Sequence, residues 1–104
     1  MENNKEQQAD LNQQKAEGDA IQEMIATRGW KEYLYPKLYK RLVSLRVKFQ
    51  NANELKDFIT CQQAINAIEN LFNFIDASIA LGEQAAEILE KQKNNARQEI
   101  VEGG

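Results

Sequence analysis

The sequence has no histidine, a single cysteine (Cys61), a single proline (Pro36) and a single tryptophan (Trp30). Each scarcity removes a class of function. Without histidine, the base that activates a serine or cysteine nucleophile is missing, so Cys61 is expected to be a small apolar filler. A structural zinc site draws on several cysteines and histidines and has no ligand set here. One thiol cannot close an intrachain disulfide, which fits a reducing compartment. The turn residues and β-branched runs that a sheet requires do not recur, which leaves helices. No apolar run is long enough to span a bilayer, and the opening MENNKEQQADLNQQ does not read as a signal peptide. No glycine-rich phosphate loop or convergent carboxylate pair is visible; Asp76, Glu83, Glu87 and Glu90 spread over a polar face. The expectation is a chain that is not an enzyme, with no metal, cofactor or small-molecule substrate, neither secreted nor membrane-bound.

What is present is a continuous helical pattern from about Asn53 to Gln98. Heptad spacing puts Phe58, Ile65, Phe72, Ile79 and Ala86 on one stripe, with Cys61, Ile68, Ile75, Gly82 and Leu89 on the next. Two further stripes widen the face: Ala64, Leu71, Ser78 and Ala85, then Thr60, Ala67, Phe74, Leu81 and Ile88. A two-stranded coiled coil uses only the first pair, so this helix is built to touch several neighbours.

Ahead of it, residues 1–17 are almost wholly polar and predict a disordered arm unless a partner offers a surface. Ala20, Ile21, Met24 and Ile25 predict a short helix ending near Gly29, which can adopt a left-handed cap. Trp30, Leu34, Leu38, Leu42, Leu45 and Phe49 mark a second helix over about 30–50. Pro36 falls inside it, predicting a kink or, alternatively, a regular helix that begins only at the proline. Asn51 to Glu54 is the clearest break, with a capping-box spacing and Asn53 as a candidate N-cap. Folding the chain back at residue 52 sets Arg46 against Phe58 and Trp30 against Phe74. The resulting fold class is all-α: an antiparallel helical hairpin with a kinked first arm and one long second helix, packed like a coiled coil over 18–98, with a frayed tail over 99–104. Its expected core is Trp30, Leu34, Leu38, Leu42, Phe58, Ile65, Ile68, Phe72 and Ile75. Trp30, Leu71, Phe74, Leu81 and Ile88 are the candidate interface residues, pointing to a homo-oligomer or a larger structural partner.

Charge is unevenly distributed. Residues 28–48 hold seven bases (Arg28, Lys31, Lys37, Lys40, Arg41, Arg46 and Lys48) and one acid, Glu32, although the whole chain carries a net charge of −3. Lys37, Arg41 and Lys48 share a helical stripe, with Tyr33, Tyr35 and Tyr39 interleaved. These seven bases are candidate nucleic-acid-binding residues. Alternatively they form a solvated face paired across the hairpin with Glu54, Asp57 and Glu69.

Thr27-Arg28-Gly29-Trp30-Lys31, followed by Tyr33-Leu34 and Leu38, resembles small helical proteins encoded among tailed-bacteriophage head and packaging genes. Cys61-Gln62-Gln63-Ala64-Ile65-Asn66-Ala67-Ile68 and Leu71-Phe72 are similar to the second helix of that type. The resemblance covers roughly residues 20–75; the sequence departs from it at Pro36 and in the length of its second helix. It implies a phage structural or assembly protein, found in the host cytoplasm or the assembled virion, with a DNA-packaging component as the alternative. No catalytic residue is carried over.

Overall fold

A computed structural model describes the backbone over residues 2–102 and the side chains over 5–97. Helix α1 spans Glu2–Ile25, a π-helical turn spans Gly29–Leu34, α2 spans Tyr35–Gln50 and α3 spans Leu55–Glu102. The described residues form no strand. The all-α class and antiparallel helix pairing expected from the sequence are what the chain adopts. It divides into two compact units: Met1–Gln22 with Ala77–Gly104, and Glu23–Asp76. The hairpin domain that the sequence pattern predicts over 18–98 draws residues from both units.

In the unit Glu23–Asp76, α2 packs antiparallel on the first part of α3. Leu42, Leu45 and Ile68 are buried at its centre, with Ala64, Ile65 and Phe72 packed against them. These residues recur at alternating three- and four-residue steps, as a helix seam requires. The rings of Phe49 and Phe58 meet edge to face near the turn, centroids 5.2 Å apart. Phe49, not Arg46, therefore opposes Phe58, and the pairing register lies slightly beyond the expected fold point at residue 52. The turn is closed by backbone bonds: Asn51 N–H donates to Val47 O, and Asp57 and Phe58 N–H both donate to Glu54 O. Glu54 thus takes the cap position expected of Asn53.

The proline is accommodated upstream. Proline has no N–H and its ring clashes with the carbonyl four residues back. The chain widens into a π-turn over Gly29–Leu34, where Tyr35 N–H donates to Trp30 O, and Pro36 then sits in the first turn of α2. Helical backbone thus runs on through Pro36 from Gly29 to Gln50, and the π-turn is where the first arm departs from a regular α-helix. Widening moves the inward position from i+4 to i+5. Tyr35 rather than Leu34 follows Trp30, with ring centroids 6.0 Å apart, and Tyr35 packs on Phe72 at 5.4 Å. Leu34, expected in the core, is 51% exposed as a direct result. At the break before this turn, the Thr27 hydroxyl donates to Met24 O at 2.7 Å and accepts Trp30 N–H at 3.3 Å. Gly29 does not take the expected left-handed cap, since no glycine among the described residues has positive φ.

In the other unit, residues 2–22 of α1 run antiparallel to the C-terminal part of α3. Residues 2–17 are helical rather than a disordered arm, and α3 continues helically to Glu102. The expected frayed tail over 99–104 falls partly outside the described residues. Polar sequence holds a helix here because α3 supplies a surface. Gly18 and Gly82 are both buried and face each other: a Cβ on either would lie 2.8 Å from the other's Cα. The same Cβ would approach Ser78 O from Gly18, and Gln14 O from Gly82, at 3.1 Å. Only hydrogen fits between the two backbones at this crossing. Ala85 is buried one turn along, and Leu11 is half-buried.

Gly18→Ala and Gly82→Ala are each expected to destabilise by about 1–3 kcal/mol through overpacking against backbone. A Cβ on Gly29 meets nothing within 4 Å, so Gly29→Ala is expected to be neutral or to stabilise by up to about 1 kcal/mol. Denaturant unfolding of the three variants tests this ordering; equal effects at Gly18 and Gly29 would refute it.

Candidate functional site

The candidate interface residues are best placed by comparing the four heptad stripes of α3. Along the two seam stripes Ile68, Ile75 and Gly82 are buried, and Ile65, Phe72, Ile79, Ala86 and Leu89 half-buried. The stripe of Ala64, Leu71, Ser78 and Ala85 is intermediate, running from exposed Leu71 to buried Ala85. The last stripe, Thr60, Ala67, Phe74, Leu81 and Ile88, is exposed at every position. In the unit Glu23–Asp76 it presents Phe74, 65% exposed, beside Leu71; in the other unit it presents Leu81 and Ile88. Stripe spacing alone accounts for this: a helix has one seam per neighbour, and the second apolar seam of α3 has no neighbour within its own unit.

Trp30 differs from the other four. It is half-buried and lines a small apolar hollow with Ile25, Tyr35, Phe72 and Ile75. In the unit Glu23–Asp76 it packs against Tyr35 beside the π-turn, outside the buried cluster of Leu42, Leu45 and Ile68. Further exposed apolar side chains, Val43 and Val47 on α2 and Leu55 and Ile59 on α3, were not singled out from the sequence. Val43 and Val47 fall one helical turn apart among lysines and arginines, which masks them in a linear reading.

The basic residues are all solvent-facing. Helix α2 carries Lys37, Lys40, Arg41, Arg46 and Lys48 and no acid at all. Of these, only Arg46 has a carboxylate partner among the described residues, Glu69 at 2.9 Å. Both side chains are about half exposed, so the pair contributes less than about 1 kcal/mol. Arg28 pairs within its own turn with Glu32 at 2.7 Å and lies over the Tyr33 ring. Pairing across the hairpin with Glu54 and Asp57 is not seen. Tyr33 and Tyr39 are exposed; Tyr35 stacks on Tyr39 with centroids 6.3 Å apart. Cys61 is half-buried beside Val47, Lys48 and Asp57.

The described residues contain no group of three or more metal-ligating side chains and no helix long and apolar enough to cross a membrane. Compared with family models, curated proteins and solved structures, the chain matches none.

Core and stripe positions are expected to respond differently to truncation. Leu42→Ala should cost about 2–5 kcal/mol by leaving a cavity. Leu81→Ala should change the stability of the dilute chain by no more than about 0.5 kcal/mol. Comparable losses at the two positions would show that Leu81 is packed and not free.

Proposed function

We propose that this chain is a non-enzymatic assembly protein of the phage-head type, acting through helix packing with copies of itself or with a larger structural protein. The observation that carries the assembly part is the second apolar seam of α3, with Phe74, Leu81 and Ile88 each 44% exposed or more, and Leu71 on the neighbouring stripe 41% exposed. Apolar side chains in a row on one helix face are the usual mark of a helix–helix interface, because burying them recovers about 25 cal/mol for each Å2 removed from water. The small core supports the same reading: among the described residues, the buried apolar side chains are Leu42, Leu45, Ile68, Ile75 and Ala85. Chains with a thin core gain stability on association. The phage context rests on the resemblance carried by Thr27 to Lys31, Tyr33, Leu34 and Leu38, and on the Cys61–Ile68 segment.

Light scattering over a range of concentrations tests the reading. The wild-type mass is expected to rise to a discrete multiple of the monomer. The double variant Phe74→Ser, Leu81→Ser should stay monomeric with unchanged helicity. A wild-type chain that remains monomeric at high concentration would overturn self-assembly.

A further inference from the structure

Within the self-assembly reading above, on which this inference rests, the charges indicate which faces of two copies meet. The unit Glu23–Asp76 holds eight bases and six acids; the other unit holds five bases and ten acids. The chain is therefore acidic in one unit and basic in the other. The basic excess is concentrated on α2, where Lys37, Lys40, Arg41 and Lys48 have no carboxylate partner among the described residues.

One exposed flank of α2 has a definite pattern. Lys37, Arg41, Ser44 and Lys48 follow one another at i, i+4, i+7 and i+11 and are all exposed. They thus form a single stripe on one flank of α2, about a quarter turn round from Leu42 and Leu45. On α1, Glu6, Asp10, Gln13 and Glu17 repeat the same spacing with the charges inverted, and the same third position is neutral and polar. All four are exposed, on a flank of α1 turned away from Gly18. Gln13 donates to Glu17 Oε1 at 3.1 Å, which holds that carboxylate on the stripe. The two bases of α1, Lys5 and Lys15, fall on other faces of the helix.

We infer that the basic stripe of α2 docks on the acidic stripe of α1 in a second copy, the two helices running parallel. Lys37 then meets Glu6, Arg41 meets Asp10, Ser44 meets Gln13 and Lys48 meets Glu17. Such a contact is heterologous, joining two different faces, so it closes by being made twice or continues from copy to copy. Its pairs are exposed and individually weak; they select partner face and register, while the apolar seam of α3 supplies affinity. Nucleic acid is the competing occupant of a basic face. The observations favour a second copy, because every chain carries a matched acidic stripe, whereas the strongly acidic unit repels a polyanion.

The test uses two charge-reversed chains: Lys37→Glu, Arg41→Glu, Lys48→Glu in one, and Glu6→Lys, Asp10→Lys, Glu17→Lys in the other. Self-association of the wild type, read by sedimentation equilibrium, is expected to weaken at least tenfold between low and high salt. Each reversed chain alone should associate at least tenfold more weakly than wild type. An equimolar mixture should recover wild-type association, since each reversed stripe then faces its complement. Recovery also excludes misfolding as the cause of either loss. If the wild type assembles but reversal has no effect, or the mixture does not recover, the stripe pairing is wrong while assembly through α3 stands. If the wild type never assembles, the assembly reading fails as well. Binding of a fluorescent oligonucleotide that is lost on reversing α2, with self-association unchanged, would assign the face to nucleic acid and overturn the inference.

Discussion

The constraint on which the structure depends is that α3 carries two apolar seams and can bury only one of them within each unit. The first seam, running through Ile65, Ile68, Phe72 and Ile75 and on through Ile79, Gly82, Ala86 and Leu89, is the wall against which α2 and α1 respectively pack. The two units use it differently. Against α2 the contact is made by branched and aromatic side chains centred on Leu42, Leu45 and Ile68. Against α1 it is made by backbone, at Gly18 and Gly82, because α1 has few large apolar residues to offer. Close backbone approach replaces side-chain volume with dispersion contacts along two helices. A polar helix can therefore hold its place with little more than Leu11, Gly18 and Ile21 turned inward.

The seam was legible in the sequence because heptad spacing is a property of one helix and needs no knowledge of its partner. The same holds for the exposed stripe through Phe74, Leu81 and Ile88, which lies too far round the helix for one neighbour to cover. Where linear reading failed, the deciding contact was remote or the helix was not an α-helix. Gly18 sits in the polar run Lys15-Ala16-Glu17-Gly18-Asp19, which gives no sign that Gly82 lies against it. That missing partner is also why residues 2–17 read as disordered. Leu34 was assigned inward by counting α-helical turns, and the count breaks at the π-turn that Pro36 requires. Tyr35, itself 44% exposed, packs its ring on Phe72 instead, and the aromatic group of Trp30, Tyr35 and Phe72 follows from that one-residue shift.

Surface chemistry separates along the same lines. Apolar side chains left exposed on α3 provide area without direction, since burial of such area is indifferent to register. The unpaired bases of α2 provide direction without much area, since exposed ion pairs add little energy but penalise wrong juxtapositions. The assembly proposed for this chain draws on both, and they reside on different helices. This division also explains how a chain of net charge −3 can present a helix with five bases and no acid.

If copies meet through the second seam of α3, as proposed, backbone amide resonances followed on dilution will report it. Concentration-dependent shifts are expected at Leu71, Phe74, Leu81 and Ile88, with Leu42, Leu45 and Ile68 unmoved. Spectra that do not change with concentration, or changes centred on the buried residues instead, would contradict the account.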